Sequence, residues 1–178
     1  MIKENKLLTP SLIKLCWKEL SSVAELIGYN AFACIDSEQA THEIVNDESR
    51  KCGELKSMLK NVELLTLNFD DEDLCVGEDK SLLIVGMPAE DKKHKKAIEC
   101  LNKALSVGKI VAFIVSTDFR KWSVQKHISE DAFLVKDVSL EKVIHDKSGE
   151  ELCFQVWLSP HDTAIDFRNI RLQEKPNK

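Results

Sequence analysis

Apolar residues recur along this chain in three rhythms, and each rhythm predicts a different element. In "TPSLIKLCWKELSSVAELIG" (9–28), Leu12, Cys16, Leu20, Val23 and Ile27 share one stripe at helical spacing, joined by Ile13, Trp17 and Ala24. Lys14, Lys18, Ser21, Ser22 and Glu25 fall largely away from that stripe. Thr9 suits a cap, Pro10 the first helical position and Gly28 the position after the last turn, so a core-packing helix is expected over 8–28.

Between 31 and 117 the rhythm changes to short unbroken apolar runs: "AFACI" (31–35), "VELLTLNF" (62–69), "SLLIV" (81–85) and "KIVAFIVST" (109–117). Runs without alternation are typical of strands covered on both faces. The helical stretch between the first two runs is broken by Asn46-Asp47-Glu48-Ser49 and weakened by Gly53. After the third run, "GMPAEDKKHKKA" (86–97) first resembles a strand leading into a phosphate-binding helix start. Only one glycine is present, Pro88 removes an amide, and Glu90 and Asp91 already supply anions. The expectation is instead an ordinary capped helix over 88–107. It has Ile98, Leu101 and Leu105 inward, Lys92, Lys96, Glu99 and Lys103 outward, and His94 turned toward the core. Strand, helix and strand with short links predict that 81–85 and 109–116 are parallel neighbours.

From residue 130 onward the period becomes two. "AFLVKDV" reads as a strand, and "LEKVIHDKSGEELCFQVWL" as a hairpin around Asp146-Lys147-Ser148-Gly149. Leu152, Phe154, Val156 and Leu158 form one face of its second strand, and Cys153, Gln155 and Trp157 a semi-polar one. "AIDFRNIRL" (164–172) slips phase between Phe167 and Ile170, predicting a bulge. The fold expectation is a single mixed α/β domain over 1–178. Its βα units (31–117) form a partly parallel sheet with packed helices, leading into a C-terminal antiparallel β-meander (130–172) and a short tail (173–178).

Composition narrows the class. With 43% hydrophobic and 31% charged residues in 178, the chain has the makings of a folded globular domain. No apolar run reaches the roughly 18 residues needed to span a bilayer, and no apolar segment follows the first charged residues, so neither a membrane partner nor a secretory leader is expected. The six cysteines, at 16, 34, 52, 75, 100 and 153, form no C-x-x-C pair, which argues against zinc, and several sit inside apolar patterns. Free thiols in a reducing, cytoplasmic setting, without disulfides, are the expectation.

Charge is unevenly distributed. Residues 1–91 carry nine Lys/Arg against 18 Asp/Glu, a net −9; residues 92–127 carry nine against two, a net +7; residues 128–178 carry seven against ten, a net −3. A local excess of this size creates a field over one surface unless the fold neutralises it.

Two sets of residues are candidates for chemistry. If the parallel strands hold, Asp36, Asp70, Asp71 and Asp118 follow their carboxyl ends, where ligands bind in open α/β sheets. Converging carboxylates suit Mg²⁺ and phosphoryl or phosphodiester hydrolysis. Acids also end strands simply because they make good turns. The second set is "DFRKWSVQKH" (118–127), where Arg120, Lys121, Trp122 and Lys126 interleave cations with aromatics, beside the lysines at 92, 96 and 103. That composition suits a protein interface or single-stranded nucleic acid. Glu78-Asp79-Lys80, His161-Asp162 and the pair Cys153 with His145 have the letters of nuclease, metal-phosphatase and thiol-nucleophile motifs but not their context. Because no catalytic motif has its full spacing, the sequence favours a small non-catalytic regulatory domain without a cofactor that recognises a protein. The Mg²⁺-dependent hydrolase and non-catalytic nucleic-acid binding are its alternatives.

Overall fold

The structure, a computed structural model, describes residues 10–34, 60–65, 81–86, 88, 92–140 and 151–159. Helix α1 (Pro10–Ile27) starts on its proline and ends at Gly28, whose φ of 79° is open to glycine at little cost and whose N–H donates to Ala24 O at 2.8 Å. Lys109 Nζ donates to the Ile27 carbonyl at 3.4 Å, placing a cation at the negative end of the helix. The strands that follow are β1 (Ala31–Cys34), β2 (Glu63–Leu64) and β3 (Leu82–Gly86). Then come α2 (Lys95–Val107), β4 (Ile110–Ser116), a 3₁₀ turn (Thr117–Arg120), the one-turn helix α3 (Trp122–Gln125), β5 (Phe133–Ser139) and β6 (Leu152–Leu158).

Among the described residues the sheet has the order β2-β1-β3-β4-β6-β5. The first four strands are parallel; β6 is antiparallel to both β4 and β5. The mixed α/β expectation holds, and the parallel pairing of β3 and β4 is as the short connection through α2 requires. β5 and β6 are antiparallel neighbours, as expected of the C-terminal part, and the strand expected at 164–172 lies outside the described residues. β6 inserts between β4 and β5, pairing Val111 with Trp157 and Ile114 with Phe154, so the described strands form one continuous sheet. Among the described residues the β5–β6 register shifts between Leu134 and Lys136. The bulge expected near Phe167 falls outside the described residues, as do the hairpin turn, the helical stretch before Gly53 and the tail.

The core lies on both faces of this sheet, which explains the unbroken apolar runs. Ile110, Ala112 and Ile114 of β4 pack with Cys16, Trp17, Leu20, Val23 and Ala24 of α1. Val111, Phe113 and Val115 pack with Ala97, Ile98, Leu101, Ala104 and Leu105 of α2. β6 obeys the same rule. Cys153, Gln155 and Trp157 are fully buried, so the face expected to be semi-polar is covered because the strand is internal to the sheet. Gly108 lets α2 return closely to the sheet: a Cβ there would stand 2.8 Å from Ile84 Cδ1 and 3.0 Å from Ala104 O.

One helix boundary differs from expectation. The helix expected from Pro88 begins at Lys95, and Pro88 is buried outside it. His94 has φ 57° and ψ 15°, a left-handed conformation that cannot continue a right-handed helix. Its carbonyl accepts the first helical bond, from Ile98 N at 2.9 Å. Tertiary contacts of the imidazole fix this conformation, and they are made at the carboxyl edge of the sheet.

Candidate functional site

The strand order reverses direction between β1 and β3: the chain moves outward from β1 to β2 on one side and from β3 to β4 on the other. Such a switch point opens a crevice beyond the carboxyl ends of the two strands. Here it lies above the Cys34–Val85 pair, with Gly86 ending β3 opposite Phe113 of β4. All four parallel strands point their carboxyl ends toward this edge, as the sequence reading required. Asp36, Asp70 and Asp71 themselves lie outside the described residues; Asp118 is described.

Asp118 sits in the 3₁₀ turn directly after β4. The Ser116 hydroxyl accepts the Asp118 N–H at 3.2 Å and starts that turn. The Asp118 carboxylate is held from two sides, by Lys121 Nζ on Oδ1 at 2.7 Å and by His94 Nε2 on Oδ2 at 3.0 Å. The Lys121 hydrogen bond, followed by that of His94, lowers its pKa below the ordinary carboxylate value. The His94 ring also meets Phe119 edge-on, with centroids 5.8 Å apart, and Phe119 is completely buried. His94 therefore bridges the loop after β3 and the turn after β4, with its side chain 15% exposed. Among the described residues no group of three or more His, Cys, Asp or Glu side chains is disposed to hold a metal. The partners of Asp118 are a lysine and a histidine.

The cations separate into two kinds. Arg120 does not stand ready for a partner. Its Nε donates to Asp137 Oδ1 and Oδ2 at 2.9 and 3.1 Å, and its Nη2 donates to Asp137 and, at 2.9 Å, to Ser139 Oγ. Gln155 Nε2 donates to the same carboxylate at 2.9 Å, and Trp157 Nε1 donates to Gln155 Oε1 at 3.2 Å. Arg120 is a strut between the turn after β4 and the β5–β6 pair. Lys92, Lys96, Lys121 and Lys126 are exposed, while Lys103 and Trp122 are half-buried.

The structure also adds a contact that the sequence did not show. Asn102 Nδ2 donates to His127 O at 2.8 Å, and Ser129 N–H donates to Asn102 Oδ1 at 2.8 Å. Gln125, buried beneath α3, donates to Phe119 O at 3.0 Å. Asp118, Arg120, Lys121 and an inward His94 are legible in the sequence; their mutual contacts and the roles of Asn102, Gln125 and Asp137 are not.

No protein-family model and no curated protein sequence matches the chain. Solved structures do. A protein of Pyrococcus horikoshii described as a candidate RNA methyltransferase aligns with a TM-score of 0.52 at 11% identity, over 87% of each chain. The 23S rRNA methyltransferase ErmE aligns at 0.40 and 11% identity, over 82% of this chain and 68% of its own. A Thermoplasma acidophilum protein aligns at 0.44 and 8% identity, over 86% and 98%. The first of these shows the fold, a Rossmann-like α/β architecture. The expectation of a non-catalytic, regulatory protein-binding domain is corrected on this finding, since the protein that shares the fold over 87% of each chain is described as a candidate RNA methyltransferase.

Proposed function

We propose that this chain is a methyl-transfer enzyme whose acceptor is RNA. The observation that carries the reading is the fold shared over 87% of the chain with the Pyrococcus horikoshii protein, together with a switch-point crevice at the expected edge. The donor class follows from chemistry. The sequence between Gly28 and Gly53 contains no glycine, so the sequence that follows β1 lacks the close-approach glycines that a pyrophosphate needs. It carries Asp36 and Glu38 instead, and Asp70 and Asp71 follow β2 in sequence. Anionic turns repel phosphates and favour a cation. S-adenosylmethionine fits these terms: it is a nucleoside without phosphates, bearing a positive sulfonium and an ammonium group, with ribose hydroxyls that a carboxylate can accept. When bound, it supplies an electrophilic methyl group.

In this reading Asp36 would meet the cationic end and Asp70 or Asp71 the ribose hydroxyls. β4 lies one strand spacing, about 5 Å, beyond β3, so the His94–Asp118 pair stands beside the crevice on the acceptor side. Asp118 is ionised at neutral pH and offers an acceptor oxygen to an N–H or O–H of the target. Buried Phe119, edge-on to the His94 ring, helps to hold the His94–Asp118 pair in place. An RNA acceptor agrees with the net +7 of 92–127, and a reducing cytoplasm agrees with the free thiols of Cys16, Cys100 and Cys153. Among the described residues no helix is long and apolar enough to cross a membrane.

The test is incorporation of labelled methyl groups from S-adenosylmethionine into total RNA. Incorporation that falls at least tenfold in Asp118→Ala supports the reading. Absence of incorporation into any RNA fraction, with the protein folded, removes it.

A further inference from the structure

The positive segment is one surface because two side-chain ties clamp it together. His94, at the start of α2, is bonded to Asp118, and Asn102, two turns along, holds His127 and Ser129. The chain from 117 to 129 is thereby laid alongside α2 from its first turn to its third. Lys92, Lys93, Lys95 and Lys96 at one end of the helix, and Lys121, Lys126 and His127 on the adjoining segment, are all exposed. Glu99 and Asp118 are the acids within 92–127, and Asp118 is held by an ion pair with Lys121 and a hydrogen bond with His94. The basic ridge begins at the carboxyl edge of β3 and β4, beside the crevice, and leads away from it.

We propose that this ridge is the track of a single RNA strand entering the site. The inference rests on the methyl-transfer reading for its polymer and goes beyond it in naming the strand form and the path. Three features favour a single strand. Trp122 is half-buried at the head of α3, between Lys121 and Lys126 in the sequence, where a ring face can stack an unpaired base. The one-turn α3 is too short to read a groove, and the deep major groove of an RNA duplex does not admit side chains. On the methyl-transfer reading the ridge also adjoins the edge at which a reacting base must be unpaired or extruded. Lys92, Lys95, Lys96 and Lys126 bind phosphates, a run of about four.

The experiment measures binding of a fluorescent single-stranded 12-mer RNA, its duplex and a polyglutamate of equal charge to the intact chain over a salt series. About four phosphate contacts predict a log–log slope of roughly −3 for the single strand. The duplex binds at least tenfold more weakly, and polyglutamate does not compete. The double variant Lys95→Gln, Lys126→Gln lowers the slope toward about −1.5. Trp122→Ala weakens single-strand binding about tenfold and Trp122→Phe restores most of it, with melting curves reporting whether each variant is folded. A flat salt dependence, equal affinity for duplex or polyglutamate, or an unaltered slope in the lysine variant overturns the track. Binding of S-adenosylmethionine is measured on the same samples. If it and methyl transfer persist in the lysine variant with RNA affinity unchanged, the track fails and the methyl-transfer reading stands. If RNA binds as described and the donor does not, the methyl-transfer reading fails by itself.

Discussion

His94 Nε2 and Asp118 Oδ2 lie 3.0 Å apart, and this bond joins the loop after β3 to the turn after β4 across the carboxyl edge of the sheet. The folded-state pKa of Asp118 is lowered, so its ionisation stabilises the folded chain above the unfolded carboxylate value near 3.9. That stabilisation fades as pH falls through the lower folded value. Asp118→Asn should therefore be less stable than the parent at pH 7, with the difference closing under strongly acid conditions. Because the carboxylate is 40% exposed, the effect on urea unfolding at pH 7 should stay below about 1 kcal/mol. A constant difference at all pH values would contradict the pairing.

Arg120 should behave as a structural residue. Asp137 is 8% exposed in its side chain and takes its cation from Arg120. Arg120→Ala leaves that carboxylate with the Gln155 amide as the remaining donor described here, and breaking such a pair costs about 3–5 kcal/mol. Arg120→Lys should recover only part of this, since an ammonium cannot reproduce the planar fork. Denaturant melts check both. Loss of RNA binding with unchanged stability would instead make Arg120 a ligand residue.

Gly108→Ala should destabilise by about 1–3 kcal/mol through overpacking against Ile84 and the Ala104 carbonyl. The backbone at Gly108 has φ −94°, acceptable to any residue, so the cost is one of space. A lower urea midpoint with an unchanged slope is the expected signature.

The Cys16 thiol is pushed up to about 12, chiefly by burial and secondarily by Glu19. At pH 8 it should resist iodoacetamide in the folded protein and react at the rate of global unfolding when denaturant is added. Mass spectrometry of the peptide resolves this. Rapid labelling without denaturant would show that α1 is not docked on the sheet.

Much of the fold was legible because it depends on local rhythm. The stripe from Cys16 to Ala24 specified which face of α1 is buried, and the unbroken run from Ile110 to Val115 specified a strand covered on both sides. Neither rhythm carries strand order. The insertion of β6 between β4 and β5 rests on pairs such as Val111 with Trp157, which are far apart in the chain and leave no local mark. The start of α2 was misread because a tertiary bond to Asp118 and an edge contact with Phe119 hold His94 in a left-handed conformation. The site was half legible for the same reason. Asp118 was selected as a strand-end acid, but its partners were hidden. Arg120 looked available because Asp137, its counter-ion, lies 17 residues onward. The protein-recognition reading was preferred because no catalytic motif had its full spacing, and the strand-end acids Asp36, Asp70, Asp71 and Asp118 could not be weighed without the strand order, which places a switch point between β1 and β3.

The central claim is that the crevice between β1 and β3 takes a cationic methyl donor. Isothermal titration of S-adenosylmethionine into the intact chain tests it most directly. The account predicts saturable binding at one site per chain, weakened at least tenfold by Asp36→Asn or Asp70→Asn and not competed by NAD. The absence of binding at millimolar donor by a folded chain, or binding that both variants leave unchanged, would contradict it.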